Sequence, residues 1–384
     1  MRQSSFKAWR NLTGALVGAA FVLQSSAAFS GASLVFDVQT GAVLEQDNAF
    51  QRWYPASLTK LMTAYIAFSA IKSGRLTLQS TVKISANAAK QPPSKMGYKP
   101  GNQLTLDNAL KIMLVKSAND IAVAVGEAVG GSNYPDAMNA AAARLGMTGS
   151  HFVNAHGLHS PQHYSTARDL AILTRALRTE FPDYSSFFKV EAIRYGDHLE
   201  RNYNILLGRF AGADGMKTGF VCASGFNLIG TATRDGRTLA AVVLGERSQV
   251  GRAEKAADLL ARGFSVPATF GATLETLKPA NDQNKPVIDM RQQVCSKEAE
   301  ADRWDGRDIE GKVVFKTDNL RPMEREPVTV AVGLMPTTTA DGWPLAVPVP
   351  KPRPAYTPAS VKTPLQDAEL RPAIPATAKK KKKQ

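Results

Sequence analysis

The feature that most constrains this chain is a strand pattern that is broken off and resumed. Ala32-Ser33-Leu34-Val35-Phe36-Asp37-Val38 and Ala42-Val43-Leu44-Glu45 flank Gln39-Thr40-Gly41 and read as a hairpin. Comparable strand character returns only after Lys189, in Val190 to Tyr195, Gly215 to Phe220, Gly225 to Ala232 and Thr238 to Leu244, separated by glycine- and charge-rich turns. Helical patterns fill most of the interval, from about Ser57 to Ile71, Thr105 to Val115, Ile121 to Val129, Pro135 to Leu145 and Ser165 to Leu177. Within it, Thr81-Val82-Lys83-Ile84 reads as a short strand and Gln91 to Asn102 as a loop. An amphipathic helix at Arg252 to Gly263 closes the segment. This order predicts an α+β fold: a mostly antiparallel sheet completed from both ends of the segment, flanked by helices, with a helical subdomain inserted between.

The ends read differently. Arg2, Lys7 and Arg10 precede an apolar run from Leu12 to Leu23 and the small residues Ser25-Ser26-Ala27-Ala28, the pattern of a secretory signal over residues 1–28. The run is shorter than the roughly 20 residues a membrane span needs. The chain is therefore expected to be exported, to the periplasm or cell envelope. With 384 residues the chain can bury one large core or two ordinary ones, and residues 29–265 read as the main folded segment. Residues 266–334 hold scattered apolar runs, Lys312 to Phe315 and Val328 to Val332, expected as isolated hairpins. From 335 to 384 the composition is that of a low-order tail, with ten of the 22 prolines between Met335 and Pro375.

Charge excludes one class of partner. Of a net +14, three cations belong to the leader and five are Lys379 to Lys383, so only +6 remains for everything between. Basicity concentrated at the termini does not describe a nucleic-acid-binding face. The lysine run reads either as attraction to anionic lipid or wall polymer, worth about 1 kcal/mol per charge near a membrane surface, or as a solvated tail. Four of the five histidines fall between His151 and His163, but glycine and proline make this a loop, and no metal-ligand spacing accompanies them. They are expected to pack the loop or face solvent, and no metal or cofactor is implied. Cys222 and Cys295 are compatible with one disulfide or two free thiols.

The chemistry gathers at Tyr54-Pro55-Ala56-Ser57-Leu58-Thr59-Lys60-Leu61-Met62, where a loop becomes a helix. Three residues apart, Ser57 and Lys60 share a helix face. A serine needs a base to take its proton, and a lysine becomes one only when burial or nearby positive charge lowers its pKa. The spacing alone is weak evidence, since Ser4 and Lys7, Ser69 and Lys72, Ser80 and Lys83, and Ser186 and Lys189 repeat it. Two further motifs follow in order. Ser117-Ala118-Asn119 lies at a helix-to-helix corner, unlike the identical Ser85-Ala86-Asn87, and Lys217-Thr218-Gly219 occurs once, on a strand. Ser-x-x-Lys, a Ser-x-Asn motif and Lys-Thr-Gly together form the signature of penicillin-binding proteins and class A β-lactamases.

With these motifs stand Lys99-Pro100-Gly101, Phe152-Val153-Asn154, Gly157-Leu158, His163-Tyr164-Ser165, Asp214-Gly215-Met216 and Gly225-Phe226-Asn227-Leu228. Over about Ser33 to Phe264 the chain resembles the low-molecular-mass penicillin-binding proteins, the serine-type D-alanyl-D-alanine carboxypeptidases of peptidase family S11. The resemblance implies a β-lactamase/transpeptidase-like fold in which residues 29–265 are the catalytic domain. It implies that Ser57 attacks the carbonyl between two D-alanines of a peptidoglycan stem peptide, with Lys60 accepting its proton. Ser117 and Asn119 would relay protons and orient the peptide, Lys217 would supply positive potential, Thr218 would bind the terminal carboxylate, and Arg252 matches a family arginine near the carboxylate site. The backbone N–H groups of Ser57 and Phe220 would form the oxyanion hole, and β-lactam antibiotics would act as inhibitors.

Residues 266–384 resemble neither the compact β-rich domain nor the C-terminal amphipathic helix of many family members, and Phe220 stands where some relatives carry a polar residue. Two alternatives share the fold: a β-lactamase and a non-catalytic wall-binding protein. A class A β-lactamase needs a water-activating Glu-x-x-x-Asn loop between the second and third motifs, and none is expected between Asn119 and Lys217. Slow release of a penicilloyl group is the corresponding expectation.

Overall fold

Hydrophobic side chains on both faces of a strand require cover on both faces, and β1 (Ala32–Asp37) is buried along its whole length. The computed structural model describes residues 31–267, 271–279, 286–308, 310–335, 337–338 and 344–345. β1 turns back into β2 (Val43–Asp47), as the hairpin pattern predicts. A 3-10 turn at Ala56–Leu58 runs into α1 (Thr59–Lys72), followed by β3 (Thr81–Lys83), the single turn α2 (Ala86–Ala89) and β4 (Gln103–Thr105). Helices α3 (Leu106–Val115), α4 (Asn119–Gly130), α5 (Tyr134–Arg144) and α6 (Ala167–Glu180) complete the insertion. A hairpin of β5 (Ala192–Tyr195) and β6 (His198–Arg201) precedes β7 (Ala213–Val221), β8 (Gly225–Arg234), β9 (Arg237–Glu246) and α7 (Gln249–Ser265).

The main sheet has the order β2-β1-β9-β8-β7 and is antiparallel throughout. Its strands come from both ends of the segment, and helices occupy the interval, as expected. One face puts Val35, Leu228, Ala241 and Val243 against Ala253, Ala257 and Leu260 of α7. On the other face, Leu34, Phe36, Ile229 and Val242 join the larger cluster that contains Leu61, Tyr65 and Phe68 of α1 and Leu170 and Leu173 of α6. Such side chains each contribute about 1.5 to 3 kcal/mol when removed from water. Helix α1 is buried nearly all round, which places it inside the fold and leaves it no polar face to mark its start. Thr105, Thr166 and Ser248 cap α3, α6 and α7 by accepting from backbone N–H groups three residues on, which sets those boundaries.

Beyond α7 the chain turns back over the folded segment. Ile288 bridges to Trp53, the Met290 N–H donates to the Ala223 carbonyl at 3.0 Å, and the Met335 N–H donates to the Gln103 carbonyl at 2.8 Å. The isolated-hairpin expectation for Val328 to Val332 is corrected here: Thr329–Ala331 forms β10, which adds in parallel to β5. Lys312 to Phe315 does turn back as a minimal hairpin: Val313 bridges antiparallel to Arg307, the Asp308 N–H donates to the Lys312 carbonyl at 3.0 Å and the Val314 N–H to the Gly306 carbonyl at 2.8 Å, and Val313 and Phe315 pack near α7. Cys222 and Cys295 form a disulfide across a separation of 73 residues, resolving the alternative left by the sequence. The leader at 1–28, the prolines after Pro344 and the run Lys379 to Lys383 lie outside the described residues.

Because this cross-link closes a loop of 73 residues, its reduction is expected to lower stability by up to about 4 kcal/mol through the freed entropy of the unfolded chain. Urea unfolding of Cys295→Ser against the oxidised protein measures it. An unchanged midpoint would show that the returning segment holds without the bond.

Candidate active site

Ser57 is positioned by the sheet as much as by its own helix. Asn227 on β8 donates from Nδ2 to the carbonyls of Tyr54 at 3.0 Å and Pro55 at 3.2 Å, while its Oδ1 accepts the Gly245 N–H at 3.0 Å. The turn before the serine is thereby tied to two strands. On β7, a Cβ at Gly219 would lie 2.9 Å from the Pro55 oxygen and 3.0 Å from the Ser57 nitrogen, so the strand approaches this turn only without a side chain. Ala56 is held at φ 48°, and Ser117 at φ 62°. Positive φ at non-glycine residues costs of order 1 to 3 kcal/mol and persists where the surroundings enforce it. Here it occurs beside one serine and at the other.

Lys60 is fully buried one helical turn behind Ser57. Its Nζ lies 2.8 Å from Asn119 Oδ1, 2.8 Å from the His156 carbonyl and 2.9 Å from Ser57 Oγ. The Asn119 orientation is fixed, because its Nδ2 donates to the carbonyls of Pro92 and Pro93 at 3.0 and 3.1 Å. Two of the three neighbours of Lys60 can therefore only accept. A neutral amine has two N–H donors and one lone pair. With both donors used, the lone pair is left for the Ser57 hydroxyl. Burial lowers the Lys60 pKa well below its ordinary value, the charge of Lys217 adds to the effect, and buried Asp120 partly opposes it.

Lys217 and Ser117 repeat the pairing across the cleft. Lys217 Nζ donates to Ser117 Oγ at 3.0 Å and to the Thr218 carbonyl at 3.0 Å. Burial first and the positive charge of Arg252 second bring its pKa to about 7. Arg252 is brought by burial to about 9, and donates to the carbonyls of Gly219 at 3.2 Å and Asn227 at 3.3 Å. The Phe220 ring stacks on Phe226 at 4.2 Å, below the Arg252 guanidinium.

A cleft of about 730 Å³ is lined by Ser57, Ser117, Asn119, Thr218, Phe220 and Arg252 among others. Lys60 and Lys217 lie behind its two serines. All eight residues singled out by sequence thus meet in one place. The second Ser-Ala-Asn does not join them: Ser85 caps α2 and Asn87 donates to Glu127. Of the loop histidines, His163 accepts the Val153 N–H at Nδ1, so its Nε2 carries the proton and donates to Thr59 Oγ1 at 2.7 Å. Burial takes its pKa to about 3, keeping it neutral. His156 lends Lys60 only its carbonyl.

One expectation is corrected. The spacing Glu-x-x-x-Asn does occur between the second and third motifs, at Glu200 and Asn204. Glu200 lines the cleft, but its carboxylate is paired with Lys116 at 2.8 Å and accepts the Tyr203 hydroxyl at 3.2 Å. Asn204 turns away, donating to the Gly215 carbonyl at 2.7 Å. Other working residues carried no spacing signal. Asn227 matters through contacts with residues some 170 positions away, and Asp120 through accepting the N–H groups of Met96 and Gly97 at 3.0 and 2.9 Å.

The profile of the D-alanyl-D-alanine carboxypeptidase family matches residues 20–248. The chain is 34% identical over 255 residues to D-alanyl-D-alanine carboxypeptidase DacC of Escherichia coli, covering 64% of this chain and 63% of that relative. It therefore spans less than two thirds of the length of that curated relative. Among solved structures it is similar to the D-alanyl-D-alanine carboxypeptidase DacD from Francisella tularensis, with a TM-score of 0.60 and 31% identity over 62% of this chain and 70% of that one. It is also similar to penicillin-binding protein D2 from Listeria monocytogenes in its ampicillin-bound form, with a TM-score of 0.55 and 30% identity over 61% of this chain and 97% of that one.

The two lysines set opposite limbs of a pH profile. Lys60 must lose its proton to accept one from Ser57, so acylation by a penicillin should rise from acid pH. Lys217 must keep its proton to attract an anion, so the second-order rate constant should fall above about pH 7. Stopped-flow acylation between about pH 5 and pH 10 reads both limbs. A profile flat through neutrality would contradict the assignment.

Proposed function

Because the chain belongs to the D-alanyl-D-alanine carboxypeptidase family, we propose that it removes the terminal D-alanine from peptidoglycan stem pentapeptides and is itself acylated by penicillins. The observation that carries this reading is the buried Lys60 amine, 2.9 Å from Ser57 Oγ and held by the Asn119 and His156 oxygens at 2.8 Å. Ser57 Oγ attacks the carbonyl between the two D-alanines while its proton passes to Lys60. The oxyanion is received by the backbone N–H groups of Ser57 and Phe220, an arrangement in which one donor is worth roughly 3 to 4 kcal/mol. Collapse breaks the C–N bond, and the proton that Lys60 took from Ser57 passes by way of the Ser117 hydroxyl, which Lys217 holds, to the leaving amine, so that Lys60 is neutral again. Water then attacks the ester, giving its proton to Lys60, and Lys60 returns that proton to the Ser57 oxygen as the ester bond breaks. Thr218, Lys217 and Arg252 receive the terminal carboxylate, and Asn119 orients the peptide.

The same reading takes residues 29–265 as the catalytic domain and residues 1–28 as an export signal, with action in the periplasm or envelope. Among the described residues no helix is long and apolar enough to cross a membrane. The run Lys379 to Lys383 would supply a weak contact to anionic lipid or wall polymer. The β-lactamase alternative requires a free carboxylate to activate water, and the engagement of Glu200 by Lys116 disfavours it.

Labelling with fluorescent penicillin, paired with D-alanine release from a pentapeptide, tests the proposal. The wild type should be labelled stably and should release D-alanine, and Ser57→Ala should do neither. Rapid loss of the label would favour a β-lactamase. A wild type that neither labels nor releases would leave a wall-binding role.

A further inference from the structure

Besides the lysines behind its serines, the cleft is lined by four charged side chains: Lys95, Lys116, Glu200 and Arg252. Lys116 and Glu200 are matched to each other. Arg252 lies beside β7, its guanidinium turned to the carbonyls of Gly219 and Asn227. Lys95 is different. It is half-buried in the cleft wall, and among the described residues no acceptor is paired with it.

The backbone that carries Lys95 is tied down on both sides. Ser94 Oγ donates to the Lys116 carbonyl at 3.0 Å, and the Ser94 carbonyl accepts the Asn119 N–H at 2.7 Å. The Met96 and Gly97 N–H groups donate to the buried Asp120 carboxylate at 3.0 and 2.9 Å. These anchors belong to the corner between α3 and α4 that also carries Ser117 and Asn119. The backbone beneath an unmatched cation is thus fixed, in the part of the cleft lining next to Ser117 and Asn119. A fixed backbone leaves only the side chain of Lys95 to be ordered on binding.

At the β7 wall, Lys217, Thr218 and Arg252 already provide for one carboxylate. A second cation lining the same cleft, which the chain does not neutralise itself, calls for a second anion on the same ligand. We propose that Lys95 is a specificity-determining residue that receives a side-chain carboxylate on the residue immediately upstream of the two D-alanines. This rests on the carboxypeptidase reading above. Lys116 does not serve the role, because Glu200 already neutralises it.

Two synthetic peptides ending in D-alanyl-D-alanine test the proposal, identical except that the preceding residue carries either a side-chain carboxylate or its carboxamide. The wild type should show a higher kcat/KM for the carboxylate peptide. Lys95→Met should lose about tenfold on that peptide and nothing on the carboxamide, a step equal to one charge-assisted hydrogen bond. Lys95→Arg should keep the preference, and added salt should shrink it in both proteins. An equal loss on both peptides, or no loss on either, overturns the proposal. If the wild type releases D-alanine from the carboxamide peptide and Lys95→Met changes nothing, Lys95 fails alone. If the wild type releases it from neither, the carboxypeptidase reading fails and this inference with it.

Discussion

A buried amine with no carboxylate in contact is the constraint on which the site depends. Charging Lys60 inside the fold would be costly, and its hydrogen-bond neighbours are a carbonyl, an amide oxygen and a hydroxyl. Asp120 lies near enough to raise its pKa somewhat, but that carboxylate is occupied by backbone N–H groups of the 96–97 loop and by its own neighbour Ile121. The surroundings of the lysine therefore favour the neutral amine. Everything else in the cleft follows from keeping Ser57 against that lone pair.

Much of the fold serves this contact at long range. Asn227 and Gly219 fix the turn before Ser57 from the sheet, and Asn119 fixes Lys60 from the helical insertion. The Lys116 to Glu200 pair then joins the insertion to the β5–β6 hairpin. The segment after α7 closes the arrangement from outside through β10, the Trp53 bridge and the disulfide at Cys222, which itself lines the cleft. The described part of this segment braces the walls of the site.

What was legible in the sequence follows from which forces are local. The period-two runs and the turn residues placed the hairpin of β1 and β2 and the strands β7 to β9, since side-chain alternation is a property of consecutive residues. The three motifs were legible because each is a short spacing on one element. By contrast, β6 alternates weakly between exposed and half-buried positions, and β10 exists only because β5 offers it an edge. The role of Asn227 depends on carbonyls distant in the chain. The Glu200 to Asn204 spacing carries the opposite lesson: it matches a catalytic pattern, yet an ion pair and a backbone contact occupy both residues.

The charge state of Lys60 tests the central claim most directly. Nitrogen-15 NMR of the lysine Nζ groups, assigned by comparison with Lys60→Arg, reads protonation without relying on turnover. The expected result is a Lys60 amine that loses its proton well below its ordinary value of 10.5. An ammonium that keeps its proton up to that ordinary value would contradict the claim, and Ser57 would need another base.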